Sequence, residues 1–361
     1  MVTPHLPPYQ AANALLPHLL GGALRASGHQ VRFLTLGAGP DTDDVRFVRR
    51  RRALRFTRLP QLLEALETSR KLRPLLSDCD VVHVHSNTWV NQVAARMAAS
   101  AGRPYVLTHY GTEIWHHDGR DPRFRRLNRQ ARHVAFYSRA LLERARELGV
   151  PLRDASVVYP PVADAFRPRE PAEREAIRSR LGIAGPLLLN VKRLHPLADQ
   201  TTLLDAMARV REQRCDARLW IAGAGEEEGR LRQRAGALSL GESVRFLGLT
   251  PNSELTDLQA AADLFVLSSL LEATPTVALE ALASGTPVLS TDNPGGVELA
   301  ELLGDDVHVV PRSDPAALAG AMLELLAAPR RTRAETARVV AERFRLSAVT
   351  GRYLELYGSA A

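Results

Sequence analysis

Short apolar runs bounded by polar residues alternate along this chain with longer stretches whose apolar positions recur every three or four residues. The first pattern predicts buried strands and the second predicts helices packed on them. Strands are expected at Val31–Leu36, Asp80–His85, Pro104–Thr108, Val134–Ser138 and Val157–Tyr159, with Met1–His5 as the tail of a short first strand. After a linker rich in proline and charge, Phe166–Pro171, further strands are expected at Leu187–Val191, Ala217–Ala222, Val244–Leu247, Asp263–Ser268, Thr286–Thr291 and Val307–Val310. Helices are expected at Ala11–Ala26, Arg139–Leu148, Ala172–Leu181, Glu226–Leu238, Pro315–Leu326 and Arg345–Tyr357. Pro17 should kink the first of these or delay its start. The alternation makes the chain α/β, and 361 residues suit two domains of ordinary size.

One stretch gathers the candidate chemistry. In DLFVLSSLLEATPTVALEALASGTPVLSTDNPGGVE, Asp263 to Glu298, a strand leads through a loop carrying Glu272 into a helix that stops at Gly285. Thr274 offers a hydroxyl N-cap and Pro275 the first helical position, where a missing N–H costs nothing. A helix start after the carboxyl end of a parallel strand is an anion seat, with free amides expected at Thr276 and Val277. Glu272 and Glu280 flank it. Such a seat between carboxylates suits a nucleotide-sugar: diphosphate on the helix end, hydroxyls donating to the acids. Spacing alone favours the plainer reading, with Glu280 a solvated helix residue and Glu272 a helix-start carboxylate.

Glu272, Ala273, Pro275, Glu280, Ala281, Ala283, Gly285, Pro287 and Val288 resemble the donor-site signature of glycosyltransferase family 4. The resemblance implies a GT-B fold, two Rossmann-like domains with parallel sheets facing across a cleft. It places an acceptor-side domain at 1–165, completed by the terminal helix 345–361, and a donor domain at 166–344. It also implies a retaining, metal-independent hexosyltransferase that needs no cofactor beyond its nucleoside-diphosphate sugar donor. By the same resemblance Glu272 contacts the sugar, Glu280 holds the ribose, and the backbone of Thr274, Pro275 and Thr276 meets the diphosphate.

Lys192, Arg193, Leu194, His195 and Pro196 resemble the family's Gly-Arg-Leu loop, in which the arginine grips the diphosphate; a guanidinium fork can donate two bonds at once. Many relatives add a lysine a few residues on. Leu197 to Gln200 has none, so Lys192 is the candidate substitute. His109, Tyr110, Gly111, Thr112 and Glu113 resemble the acceptor-side loop, which makes His109 a catalytic candidate near the transferred sugar and Gly111 its turn residue. His85, closing a strand with alternating histidines, is similar to a cleft-facing histidine, and Ser138 to the serine that closes its strand. Ala11 and Ala12 stand where paired glycines are usual, and Pro160 and Pro161 where Asn-Gly is common. Gly295, Gly296 and Glu298 resemble a loop after the last signature strand.

Gly223-Ala224-Gly225 looks in isolation like a dinucleotide finger. The spacing to Gly229 is one residue too long, the next strand ends without an acid for a ribose, and Glu226, Glu227 and Glu228 would repel a pyrophosphate, so an oxidoreductase is rejected. Adjacent His116 and His117 do not converge on one ion. Cys79 and Cys215 fit no metal or redox spacing and read as buried thiols in a reducing cytoplasm. No apolar run approaches the ~20 residues a membrane span needs. The net charge is +7, and Lys71 and Lys192 are the only lysines. Arginines concentrate between Arg46 and Arg58 with Phe47, Leu54, Phe56 and Leu59 interleaved. That segment reads either as a peripheral membrane contact or as a solvated surface; with no recognised motif beside it, nucleic acid is not expected as a partner. The acceptor is a hydroxyl compound the sequence does not name. The alternative to an enzyme is a degenerate relative that binds nucleotide or a partner without turnover.

Overall fold

The computed structural model describes residues 1–9, 12–51 and 59–358. In chain order its elements are β1 Val2–Thr3, α1 Ala12–Ala26, β2 Phe33–Leu36, β3 Val45–Val48, α2 Leu59–Ser77, β4 Val82–His85, α3 Trp89–Ser100, β5 Tyr105–His109, α4 Thr112–Trp115, α5 Pro122–Gln130, β6 His133–Phe136, α6 Arg139–Glu147 and β7 Ala155–Val157. There follow α7 Pro171–Leu181, β8 Leu187–Val191, α8 Gln200–Gln213, β9 Arg218–Ala222, α9 Glu228–Ala237, β10 Val244–Gly248, α10 Asn252–Ala261, β11 Leu264–Leu267, α11 Thr276–Ala283, β12 Val288–Thr291, α12 Pro294–Leu303, β13 Val307–Val310, α13 Pro315–Ala327, α14 Ala334–Arg343 and α15 Leu346–Gly358. Contacts divide the chain into a first unit, residues 1–161 with 346–361, and a second unit, residues 162–345. None of the described helices is long and apolar enough to cross a membrane.

The first unit is built on one parallel sheet in the order β3-β2-β1-β4-β5-β6-β7. The third strand in that order, β1, is two residues long yet pairs on both sides, Val2 with Leu34 and with Val84. Covered on both faces, β4, β5 and β6 are buried at every position, the polar His83, His85, Thr108, His109 and His133 included. The terminal helix α15 belongs to this unit: Val349 and Tyr353 pack with Leu20, Leu24 and Phe33. Pro17 neither delays nor breaks α1. The carbonyl that loses its helical donor to Pro17 is that of Asn13, and the Thr3 hydroxyl donates to it instead, at 2.7 Å.

The second unit has a parallel sheet in the order β10-β9-β8-β11-β12-β13. Leu188, Leu219, Ile221, Val266 and Leu289 from these strands pack against Leu203, Met207, Leu318 and Met322 from α8 and α13. Each such buried side chain contributes roughly 1.5–3 kcal/mol relative to exposure. The order reverses beside β8: β9 and β10 lie to one side, β11 and β12 to the other. Loops leaving the carboxyl ends of β8 and β11 therefore diverge around a crevice.

The segment from Gly295 to Glu298 is not a loop. It forms the first turn of α12, because Asn293 caps it by accepting from the Gly296 amide at 2.9 Å and Pro294 takes the first position.

Candidate donor site

The loops that leave β8 and β11 are locked together. The Leu270 amide donates to Leu197 O at 2.8 Å and the Ser268 hydroxyl to Ala198 O at 2.8 Å. Across this seam the Lys192 ammonium meets the Glu272 carboxylate at 2.5 Å, with 27% and 11% of the side chains exposed. Glycines let neighbouring backbone press in behind both residues. A Cβ on Gly225 would lie 2.1 Å from Leu194 O, and one on Gly295 would lie 2.5 Å from Ala273 O. Gly295 also donates its amide to Glu272 O at 3.1 Å. The Gly-Ala-Gly turn after β9 is thus a rest for the Lys192–Leu194 loop, and Leu194 donates to Ala224 O at 3.1 Å. That is the job its glycines do in place of a dinucleotide finger.

Helix α11 begins at Thr276, one residue later than a Thr274 cap requires. Pro275 occupies the cap position, and no side chain caps the helix. Its carbonyl accepts from Ala278 and Leu279 at 3.0 and 3.2 Å. The amides of Thr276 and Val277 make no hydrogen bond among the described residues, which is the arrangement that seats an anion. Glu280 is partly buried, and its carboxylate has no cation or hydrogen-bond donor among the described residues. Burial pushes its carboxyl up to about 8. An uncompensated acid in such a place marks a ligand-binding position more often than a structural one.

Arg193 does not join this group. Its guanidinium is 70% exposed and held by Glu226 at 3.0 Å, with His195 Nε2 3.6 Å from the same carboxylate. The glutamates expected to repel a pyrophosphate at α9 all have cationic partners: Glu226 as above, Glu227 with Arg230 at 2.7 Å, and Glu228 with Arg232 at 2.8 Å.

In the first unit the candidate histidines are enclosed. His109 is 0% exposed; its Nε2 is bonded to Asn128 Oδ1 at 2.9 Å, its Nδ1 faces Glu113 at 3.6 Å, and its ring lies among Phe124 and Phe136. Asn128 thus engages one ring nitrogen, and Nδ1 is buried beside Glu113 without a hydrogen bond. Glu113 accepts from the Tyr110 and Gly111 amides at 2.7 and 3.2 Å. Burial works to raise its carboxyl, but the adjacent His109 ring and the Tyr110 amide hold it below the usual range. His85 is also buried, with Nδ1 bonded to the Tyr110 hydroxyl at 2.9 Å. His83 joins Tyr357 at 2.6 Å and Thr108 at 2.8 Å. Burial keeps both imidazoles neutral, well below their ordinary range. Gly111 sits at the start of α4 and Ser138 caps α6. Among the described residues no three His, Cys, Asp or Glu side chains converge as a metal site requires, His116 and His117 included; the expected burial of both thiols is corrected, since Cys79 is half-buried and Cys215, at the surface between α8 and β9, is exposed.

Sequence reasoning missed the Lys192–Glu272 bond, which joins residues 80 apart, and Asn128, whose only signal is its place on the buried face of α5.

The profile of Glycosyl transferases group 1 matches residues 173–342, and that of Glycosyltransferase Family 4 matches residues 18–166. A D-inositol 3-phosphate glycosyltransferase of Catenulispora acidiphila is 30% identical over 311 residues, 78% of this chain and 73% of that protein. Mannosylfructose-phosphate synthase of Agrobacterium fabrum is 36% identical over 138 residues, which is 36% of this chain but only 30% of that enzyme. Among solved structures, Anabaena HepE in complex with UDP and glucose superposes with a TM-score of 0.78 at 20% identity, covering 99% of both chains, so the fold is GT-B. With both halves matched and the curated relative from Catenulispora aligned over most of its length, the chain belongs to the group 1, family 4 glycosyltransferases.

Proposed function

We propose that this chain transfers a hexose from a nucleoside-diphosphate sugar to a hydroxyl acceptor, with retention at the anomeric carbon and without a metal. The observation that carries the proposal is the uncapped start of α11, flanked by the Lys192–Glu272 pair and by the unpartnered Glu280. The HepE structure, with UDP and glucose bound to the same fold, supports this kind of donor.

The diphosphate sits on the Thr276 and Val277 amides with Lys192 beside it. Glu280 accepts from the ribose hydroxyls and Glu272 from the hexose, with Ala273, Thr274 and Pro275 as the backbone between them. As the bond to the anomeric carbon breaks, negative charge grows on the departing phosphate. Fixed amides and a held ammonium stabilise that charge without reorganising. Arg193 reaches the phosphate by leaving Glu226, an exposed pair worth little to stability. His85, His109 and Gly111 position the first unit's loops for the acceptor.

Incubation with a panel of nucleotide-sugars, followed by detection of released nucleoside diphosphate, tests the proposal. Release from one donor that depends on an added hydroxyl acceptor is the expected result. A donor that raises the melting temperature but is never cleaved would instead establish a non-catalytic nucleotide binder. The lysine that many relatives add after the arginine is missing from Leu197 to Gln200, which is the feature favouring that second outcome.

A further inference from the structure

The first unit carries a surface that the donor site does not use. On α2, Leu59, Leu62 and Leu66 are 52%, 55% and 59% exposed. Their spacing places them in one stripe, which continues into exposed Arg70 and Arg73. The acids of the same helix are turned away from it. Glu64 accepts from the Arg51 amide at 2.8 Å, while Glu67 accepts from the Arg49 amide at 3.3 Å and pairs with Arg51 at 3.6 Å and Lys71 at 3.3 Å. Beside the stripe, the Trp89 indole donates to Gln61 O of α2 at 2.9 Å, and the Arg123 guanidinium lies 4.8 Å over that ring. The side chains of Arg70, Arg73 and Arg96 make no hydrogen bond or ion pair among the described residues.

Apolar side chains bordered by unpaired cations and a tryptophan, with the helix's own acids withdrawn, match the chemistry of an anionic bilayer surface. Leucines enter the acyl edge, tryptophan lies at the headgroup level, and guanidinium groups meet lipid phosphates. A second copy fits worse, because a two-fold contact through this stripe would set its arginines near their own counterparts. The arginine-rich segment singled out in the sequence is described only in part. Arg46 and Arg51 are tied to Thr42 and Glu67, and Arg52, Arg55 and Arg58 lie outside the described residues.

We propose that the stripe Leu59–Leu62–Leu66, with Trp89, Arg70, Arg73 and Arg123 around it, docks the first unit onto an anionic lipid membrane. The full chain is floated with vesicles of phosphatidylcholine alone and of phosphatidylcholine with about one quarter phosphatidylglycerol, at low and high salt. The expected result is flotation with the anionic vesicles only, weakened by salt. It should fall about tenfold or more in both L62S/L66S and R70E/R73E, with the melting temperature of each variant within about 2 °C of the parent. Absence of flotation at low salt, equal flotation with both vesicle types, or wild-type flotation by either variant would overturn the proposal. So would a dimer in solution that L62S/L66S converts to monomer.

Discussion

The two units follow the same plan and treat their polar side chains in opposite ways. Each has a parallel sheet whose strand order reverses beside its first strand, and each brings titratable residues to the carboxyl ends of its strands. In the first unit those residues are enclosed, and each is held by a neighbour through at least one ring nitrogen: His109 by Asn128, His85 by Tyr110, His83 by Thr108 and Tyr357, with His109 Nδ1 and His85 Nε2 left buried and unbonded. In the second, Glu280 and the first amides of α11 have no such partners among the described residues. A polar group satisfied inside its own unit adds stability when present and leaves a costly orphan when its partner is removed. A polar group without a partner lowers stability and is available to a ligand. The comparison therefore predicts that changes in the first unit act mainly on folding, and changes in the second mainly on turnover.

The largest separation is expected between Glu280→Gln and His109→Ala. The first should reduce nucleoside diphosphate release roughly 100-fold, as loss of hydrogen bonds to a charged acceptor implies, with a melting temperature equal to or above the parent's. The second should lower the melting temperature by about 5 °C or more, because it leaves both a cavity and an orphaned Asn128. A His109→Gln protein that melts like the parent but turns nothing over would break the comparison, since the ring would then belong to the chemistry.

Next in size is the backbone rest behind Lys192. Gly225→Ala puts a Cβ against Leu194 O and should reduce activity about tenfold with some loss of stability. Gly229→Ala, four residues on in α9 and with nothing within 4 Å of its Cβ, should be neutral or slightly stabilising. Equal effects from the two would remove the loop contact from the account.

The smallest effect is the titration of Glu280. Its carboxyl, near 4.5 when unfolded, is held up to about 8 in the folded chain by burial. The folded state thus keeps a proton that the unfolded state loses above about 4.5, so this group's contribution to stability declines as pH rises from there to about 8 and is level beyond. Ribose hydroxyls donating to the carboxylate favour its ionised form. Donor binding at pH 7 should then release up to about one proton and tighten as pH rises toward 8. Calorimetry in two buffers of different ionisation enthalpy reads this directly, and Glu280→Gln should abolish it.

Much of the second unit was legible because its motifs are local. Leu187–Val191 and Val307–Val310 are strands over the expected residues, and α11 ends before Gly285 as the preference for glycine after a helix implies. Local pattern could not decide whether Pro275 is the first helical residue or the cap, since its fixed φ suits both. The resemblance put Gly295-Gly296 in a loop, whereas Asn293 and Pro294 start a helix there. The first unit was harder to read for a different reason. Whether His109 is open or enclosed depends on Asn128, 19 residues away on another element. Whether the leucines of α2 are core or surface depends on which face the sheet takes, and a leucine-rich helix gives no sign of that by itself.

The proline at the head of α11 carries a consequence for dynamics. A helix that opens without a cap frays at that end, and here the missing acceptor is what an incoming diphosphate would bring. Substrate would then act as a folding element, tightening the first turn and slowing amide exchange at Thr276 and Val277, so that occupancy and local order rise together.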